Sequence, residues 1–216
     1  MSDFAALERQ LREGLTRQTL VASDQQVQQL LDYLALLLKW NQAYNLTAVR
    51  DPAAMVERHL LDSLAILPYI DQTAESTSRW LDVGSGPGLP GIILAIMRPD
   101  LGITLLDSNG KKSRFQFQAK VALKLDQVEV VQARVEAYQP EQAFDRIISR
   151  AFASLNDFLS LTRHLGHQDS HWLAMKGQYP TDELCQIPDD FTLFAEPRLA
   201  VPAILGERYL MCFQHQ

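Results

Sequence analysis

A glycine-rich stretch carries the clearest chemical signal in the chain, and it reads DVGSGPGLPG over residues 82–91. Glycines let a chain turn sharply and let a ligand lie against bare backbone. From Gly86 onward the spacing satisfies G-x-G-x-x-G, which is typical of dinucleotide-binding loops. Pro87 and Pro90 each remove a backbone N–H, however, and a bound pyrophosphate depends on such donors. Phosphate binding is therefore disfavoured at this loop.

Two acidic residues near the loop favour a cationic ligand that contains a ribose. Asp82 precedes the first glycine and suits a ligand with an ammonium and a sulfonium, such as S-adenosylmethionine. Asp107 ends the next predicted strand, where a ribose diol needs a carboxylate acceptor. The alternative is that Asp107 caps a helix beginning near Lys111. We favour ribose binding because of the place of Asp107 in the strand-loop-strand unit.

A run of positive charge follows this acid. Residues 108–125 contain five basic residues and no acid, although the whole chain carries a net charge of −6. A solvated surface helix could have this composition, but a position beside the predicted ligand crevice favours contact with a polyanion. Intervals of four predict a polar stripe and a buried one: Lys112, Gln116, Lys120 and Lys124 in the first, Phe117, Val121 and Leu125 in the second.

Other groups of reactive residues give weaker signals. His164, His167 and His171 have the spacing of metal ligands, but Gly166 interrupts any shared helical face and no cysteine is near. We therefore predict no metal. Gly110-Lys111 lacks the flanking residues of a Walker loop, and the chain has no G-x-S-x-G nucleophile motif.

Composition and charge bound the class of protein. The 216 residues are 47% apolar and 21% charged, as in an ordinary globular protein. No apolar run approaches the roughly 20 residues of a membrane span, and the first ten residues show no export signal. Cys185 and Cys212 form no CxxC motif, which fits a reducing compartment. We expect a cytoplasmic protein without membrane contact.

Residues 1–78 contain only one of the ten glycines and are predicted to be helical. Ser23 and Gln26 form a capping-box pattern that starts a helix over about 24–44. Asp51 followed by Pro52 starts a second helix, and Pro68 is expected to close it.

The second of these helices has a polar side. Arg58, His59 and Asp62 share it, since their spacing places them on one face. A solvated face is the interpretation we favour, and a ligand wall is the alternative.

From residue 79 short apolar strands alternate with helical stretches, which implies right-handed crossovers and a mostly parallel sheet. The last two strands lack a helix between them, so they should form an antiparallel hairpin at one edge. We predict an N-terminal helical appendage over 1–78 and an α/β domain over 79–216. The predicted strands are 79–83, 103–107, 128–132, 144–149, 172–176, 191–195 and 209–213.

Six sequence blocks resemble the bacterial small-subunit ribosomal RNA guanine-N7 methyltransferases, a family also called glucose-inhibited division protein B. The blocks occur in the family's order, and the resemblance runs from about residue 24 to the end. One departure is the ending CFQHQ, where many members have lysines. The blocks are NLTAVRDP (45–52), RHLLDS (58–63), LDVGSGPGLPG (81–91), LLDSNGKKSRF (105–115), ISRAFASL (148–155) and MKG (175–177).

The resemblance implies a class I S-adenosylmethionine-dependent methyltransferase fold, Rossmann-like, with a seven-stranded mostly parallel sheet and the helical appendage. It also implies methyl transfer from S-adenosylmethionine to N7 of guanine 527 in 16S ribosomal RNA, with S-adenosylhomocysteine as the product. Carried over by position, the cofactor-binding residues are Gly84, Gly86, Leu89, Asp107, Val135, Glu136 and Arg150.

Guanine N7 has a lone pair and no proton, so the implied reaction needs no general base and its rate comes from positioning. The implied partner is 16S ribosomal RNA within an assembling small subunit. Two other interpretations stay open, a nicotinamide-dependent oxidoreductase and a non-catalytic RNA-binding module. The RNA-binding candidates are Lys111, Lys112 and Arg114 on phosphates, Arg58 and His59 at the guanine or cofactor wall, and Lys176 on the substrate.

Overall fold

The computed structural model describes residues 4–73, 78–150, 152, 154–202 and 206–216. A seven-stranded sheet forms its centre, in the order β3-β2-β1-β4-β5-β7-β6. β7 runs antiparallel to both of its neighbours, and the pairs among β1 to β5 are parallel. The strands are β1 Arg79–Val83, β2 Gly102–Asp107, β3 Val128–Gln132, β4 Phe144–Arg150, β5 Gly166–Lys176, β6 Phe191–Ala195 and β7 Tyr209–His215.

This sheet confirms the predicted mostly parallel, seven-stranded architecture. The antiparallel pairing of the last two strands is also confirmed. However, β7 lies between β5 and β6, so of these two strands only β6 is an edge strand of the sheet. Because the parallel strands share one direction, the residues that follow β1, β2, β4 and β5 meet along the carboxyl-terminal ends of the strands. Ligands bind at such carboxyl-terminal edges in doubly wound folds.

β5 begins earlier than predicted, at Gly166 and not at Trp172. The Ser170 hydroxyl donates to the Phe144 carbonyl at 2.7 Å and accepts from the His167 N–H at 2.7 Å. These bonds lie where the pairing between β4 and β5 shifts register. Side-chain hydrogen bonds thus stabilise the irregular first part of β5. Its residues do not alternate between apolar and polar, so the sequence pattern does not predict a strand there.

Helices flank the sheet, and a single π-helical turn over Val56–Leu61 joins two of them into one continuous segment. Two short 3-10 turns cover Val135–Ala137 and Arg163–Leu165. The helices are α1 Phe4–Arg17, α2 Asp24–Tyr44, α3 Pro52–Met55, α4 Asp62–Leu64, α5 Leu67–Thr73, α6 Gly91–Met97, α7 Gly110–Leu123, α8 Leu155–Thr162 and α9 Thr181–Leu184.

α2 begins and ends as the sequence predicts. The Ser23 hydroxyl accepts from the Gln26 N–H at 3.2 Å, and the Gln26 side chain accepts from the Ser23 N–H at 2.9 Å. This reciprocal capping box satisfies two amide donors that the first turn of a helix leaves free. At the other end Asn45 adopts a left-handed conformation with φ of 49°, which stops the helix.

The helical segment that starts at Pro52 is shorter than predicted. It ends at Leu64, and Pro68 lies in the first turn of α5. The expectation that Pro68 closes the segment is wrong because proline fits the first turn of a new helix, where its missing N–H costs no intrahelical bond.

The two faces of the sheet carry separate groups of buried side chains. One face packs against α6, α7 and the helices before residue 78, so that Leu11, Leu34 and Trp80 belong to one cluster. The other face packs against α8, with Phe158 and Trp172 in its cluster. The helices before residue 78 therefore cover one side of the sheet directly, and the division of the chain into 1–78 and 79–216 stays a prediction.

No helix within the described ranges is both long enough and apolar enough to cross a membrane.

Candidate functional site

The glycine loop follows β1 and uses all of its backbone donors internally. Residues 84–91 are all described, and within them Pro87 and Pro90 carry no N–H. The remaining six N–H groups donate to protein acceptors, so none is left to cradle a phosphate. Gly84 and Ser85 donate to the Leu106 carbonyl, Gly86 donates to Asp107 Oδ2 at 2.8 Å, Gly88 and Leu89 donate to the Ser85 carbonyl, and Gly91 donates to Asp82 Oδ2 at 2.8 Å.

Asp82 lies behind this loop and not on its ligand side. Its side chain is fully buried and lines neither of the two cavities described below. Burial raises the pKa of its carboxyl group to about 7. The expectation that Asp82 faces a cationic ligand is therefore wrong, because its carboxylate accepts the first N–H of α6 and fixes the loop to the start of that helix.

Two cavities open at the carboxyl-terminal edge of the sheet, and they meet at the glycine loop. The larger has a volume of about 460 Å³ and lies between the loop and the π-helical segment. The smaller, of about 330 Å³, lies between β2 and the turn after β3. Gly84 and Lys112 line both. A ligand in one cavity can therefore touch a ligand in the other at this point.

The predicted cofactor residues divide between the two cavities. The smaller cavity is lined by Asp107, Val135 and Glu136, and the larger by Gly86, Leu89 and Arg150, while Gly84 borders both. The structure brings all seven to the same edge of the sheet.

Asp107 is held in place by the backbone around it. One carboxylate oxygen accepts from Gly86 and the other from the Asn109 N–H, each at 2.8 Å. The alternative role as the cap of α7 is wrong, because Asn109 fills that position and accepts from the Lys111 N–H. Each oxygen keeps a second lone pair that a ribose hydroxyl can use.

The predicted RNA-binding residues also divide into two groups. Arg58, His59, Lys112 and Lys176 line the larger cavity. Lys176 is in addition held by Glu183, whose oxygens lie 2.7 and 3.0 Å from its ammonium group. Lys111 and Arg114 line neither cavity and lie exposed on α7.

The predicted faces of α7 need correction at three positions. Gln116 is fully buried, whereas Phe117 and Val121 are 54% and 58% exposed; only Leu125 is buried as predicted. Gln116 is inside because its amide donates to the Gly86 carbonyl at 2.7 Å and to the Ser85 hydroxyl at 2.9 Å. The glycine loop supplies hydrogen-bonding partners that make a buried amide favourable.

Asp62 links three parts of the chain at the wall of the larger cavity. Its carboxylate accepts from Arg150 Nη1 at 3.0 Å and from Arg208 Nε at 3.1 Å. Arg150 also donates to the Arg58 carbonyl at 2.9 Å. The favoured interpretation of a solvated polar face is wrong for Asp62 and His59, which are both buried, and right for Arg58.

Sequence reasoning missed two functional candidates here. Arg208 lines the larger cavity, but nothing near it in the sequence marks it as a site residue. Tyr33 is the second, because its fully buried hydroxyl donates to the Pro87 carbonyl at 2.8 Å and ties α2 to the glycine loop. A tyrosine within an otherwise leucine-rich helical stripe indicates a buried hydroxyl that needs a hydrogen-bonding partner, and this signal points to Tyr33.

His59 should stay neutral well below neutral pH. Burial, together with the positive charge of Arg150, lowers its pKa to about 4. We expect its ring carbon resonances in NMR to titrate with a midpoint near 4 in the folded protein and near 6.5 in urea. The unfolded chain then binds a proton first, so the free energy of unfolding should fall as the pH drops from about 6.5 toward 4. A folded-state midpoint near 6.5 would contradict this.

The three histidines with metal-like spacing go to different partners. His164 contacts the Tyr138 carbonyl at 3.1 Å, His167 contacts Asp145 at 3.0 Å, and His171 packs on the ring of Phe194. In the part of the chain that the structure describes, no three potential ligands gather around a common point.

Comparison with known sequences assigns the chain to a family. The sequence model of the family described as rRNA small subunit methyltransferase G matches residues 26–211. The chain belongs to this family. A protein named ribosomal RNA small subunit methyltransferase G from Pseudomonas aeruginosa (strain LESB58) is 61% identical over 183 residues, which cover 85% of this chain and 84% of that protein. One of the same name from Ectopseudomonas mendocina (strain ymp) is 58% identical over 94% of this chain and 93% of its own.

Solved structures show the same fold at low sequence identity. TrmN from Thermus thermophilus superimposes with a TM-score of 0.59 and 16% identity, over 74% of this chain and 53% of that one. The glycopeptide N-methyltransferase MtfA, complexed with S-adenosyl-L-homocysteine, gives a TM-score of 0.59 at 10% identity, over 72% of this chain and 90% of that one. The predicted class I methyltransferase fold and the predicted family are thereby confirmed.

Proposed function

We propose that the chain transfers a methyl group from S-adenosylmethionine to N7 of guanine 527 in 16S ribosomal RNA, by positioning and without a general base. The observation that carries the proposal is the meeting of two cavities at Gly84 and Lys112. One cavity offers a carboxylate, Asp107, at the end of β2, and the lining of the other includes five lysine and arginine side chains. A nucleoside cofactor and an RNA nucleotide need this pair of environments.

The smaller cavity suits the nucleoside part of the cofactor. Asp107 would accept hydrogen bonds from the ribose, and Val135 and Phe152 offer apolar surface beside it. Glu136 and the backbone of Gly84 complete the wall. When bound, S-adenosylmethionine supplies a methyl group on a positively charged sulfur and leaves as S-adenosylhomocysteine. Because the loop has no free N–H donor, a pyrophosphate-containing nicotinamide cofactor fits less well.

The larger cavity suits an anionic nucleotide. Among the described residues, its lining has five basic side chains and a single acidic one, Asp62. Arg150 is the predicted cofactor residue among them, and the others are left for the nucleotide. Because guanine N7 needs no proton removed, these residues have to orient the base and exclude water. A neutral His59 at the wall adds no further charge near the base. N7 lies on the deep major-groove edge of a paired RNA helix, so the target base must be unpaired or turned outward.

We further propose that the substrate is 16S ribosomal RNA within an assembling small subunit, and that the protein acts in the cytoplasm, where such subunits form. The chain carries a net charge of −6, while the larger cavity is lined by five basic side chains and α7 contains no acid, so the surface fits one RNA site and not indiscriminate coating.

Methyl transfer from tritiated S-adenosylmethionine tests the proposal. We expect label in unmodified small subunits, lost when guanine 527 is replaced by adenine, and strand cleavage at that nucleotide after treatment specific for 7-methylguanine. Naked 16S RNA and intact ribosomes should accept less label. Label at another nucleotide would refute the site, RNA binding without transfer would favour the non-catalytic module, and binding of NAD alone would favour the oxidoreductase.

Arg114→Ala should weaken RNA binding by removing a phosphate contact outside both cavities. We expect the slope of log K against log salt concentration to become shallower by about 0.7, the value for one contact to a single strand. Cofactor affinity should be unchanged, because Arg114 lines neither cavity. The matched control is Arg163→Ala. Arg163 lies in the 3-10 turn before β5, at the end of the sheet that is opposite to the two cavities. An unchanged salt slope for Arg114→Ala would remove this residue from the RNA interface.

A further inference from the structure

The outer face of α7 carries an apolar pair that packs on no core. Phe117 and Val121 lie one helical turn apart and are 54% and 58% exposed. Phe117 is the most exposed aromatic residue in the described part of the chain, ahead of Phe194 at 47%. The same helix buries Phe115, Ala119 and Leu123, so its contact with the protein is complete without them. Single exposed apolar residues are common, but an adjacent pair at a basic surface calls for a partner.

The surroundings of Phe117 are cationic. Arg114 lies one turn before it, Lys120 lies one turn after it, and α7 itself contains no acidic residue. An exposed aromatic ring between basic side chains is a surface that single-stranded nucleic acid can use, because phosphates pair with the cations while a base stacks on the ring.

The position of Phe117 relates it to the candidate site. Lys112, near the start of α7, lines both cavities, and Phe117 follows five residues later, about 7.5 Å along the helix axis. The two side chains lie about 140° apart around the helix, so a strand that leaves the larger cavity beside Lys112 has to pass partly around α7 to reach the Phe117 ring next to Arg114.

We propose that Phe117 stacks against an unpaired base of the RNA substrate near the target nucleotide, with Arg114 and Lys120 on the adjoining phosphates. The inference rests on the proposed function and adds to it a contact outside the cavities. A protein partner fits the surface less well, since a stable protein interface needs about 800 Å² on each side and these two side chains supply a small part of it.

Three replacements of Phe117 separate stacking from simple apolar burial. In filter binding to an unmodified 16S ribosomal RNA transcript, we expect Phe117→Ala to lower affinity about tenfold, equal to about 1.4 kcal/mol and within the range for base stacking on aromatic rings. Phe117→Leu should lose nearly as much, and Phe117→Trp should bind like the unchanged protein. The new tryptophan should also lose fluorescence on RNA binding. Phe194→Ala, on β6, is the matched control and should have no effect.

The outcomes distinguish this inference from the proposed function. If the unchanged protein methylates small subunits but Phe117→Ala binds RNA equally well, the stacking contact is refuted and the function stands. Full affinity in Phe117→Leu would also refute stacking, as would a loss that occurs with small subunits but not with the RNA transcript, since this would indicate a protein partner. If the unchanged protein neither binds the transcript nor methylates small subunits, the proposed function fails first. Cofactor affinity should be equal in all variants.

Discussion

We expect Gly84→Val to abolish the binding of S-adenosylmethionine. Gly84 borders both cavities and has a φ of +66°, a left-handed conformation that a β-branched residue adopts only with strain. A Cβ atom here would lie 3.1 Å from the Phe152 ring. Strain costs about 1–3 kcal/mol, and the valine methyl groups also crowd the cavity. We expect calorimetry to show at least a roughly 100-fold loss of affinity, which corresponds to about 2.7 kcal/mol.

Gly102→Val is the matched control for this substitution. Gly102 begins β2, a Cβ atom there meets nothing within 4 Å, and a β-branched residue suits a strand. We expect the control to bind the cofactor normally. Circular dichroism should show that both variants are folded. Retained affinity in a folded Gly84→Val protein would overturn the assignment of this loop to the cofactor.

We expect Asp62→Asn to lower both stability and activity. The substitution removes the charge that holds Arg150 and Arg208, and both arginines are largely buried at 18% and 25% side-chain exposure. Removing one partner of a buried ion pair costs about 3 kcal/mol of the free energy of unfolding, which urea denaturation measures. The freed guanidinium groups no longer shape the larger cavity, so methyl transfer should fall about 100-fold, a loss typical of misplaced reacting groups.

Asp100→Asn is the matched control, since Asp100 pairs with Arg98 at 2.7 Å but is 39% exposed. Exposed ion pairs contribute little, so its stability should change by less than about 1 kcal/mol and its activity should not change. Cofactor affinity should fall as well in Asp62→Asn, because the freed Arg150 is also a predicted cofactor-binding residue. Full methyl transfer by Asp62→Asn would show that the two arginines do not position the substrate.

The parts of the site that the sequence predicted are those defined by neighbouring residues. The glycine loop and the acid at the end of β2 adjoin predicted strands, and the family resemblance supplies Val135, Glu136 and Arg150. The direction of the strands brings all of these together. The strand bounds of β1, β3 and β6 agree with the prediction for the same reason, since short apolar runs between turn residues suffice to define them.

The parts that could not be predicted depend on partners far along the chain. Asp62 meets Arg150 and Arg208 across 88 and 146 residues, and no local pattern predicts such a pairing. The intervals of four predict that Gln116 faces the solvent because glutamine is polar, yet its buried partners lie about thirty residues away in the glycine loop. The same error put Phe117 inside the protein. A periodic pattern predicts burial from the polarity of each side chain alone. A polar side chain can nevertheless be buried where it finds a hydrogen-bonding partner.

The internal hydrogen bonding of residues 84–91 has a consequence for the entropy of cofactor binding. Six amide groups are already paired within the protein, and Tyr33 and Gln116 hold the loop from two different helices. The conformational freedom of this segment is therefore lost when the chain folds and not when the cofactor arrives. A site ordered in advance binds with a smaller entropic cost, and its ligand stabilises the fold only by mass action, by about 2.7 kcal/mol at a hundred times the dissociation constant.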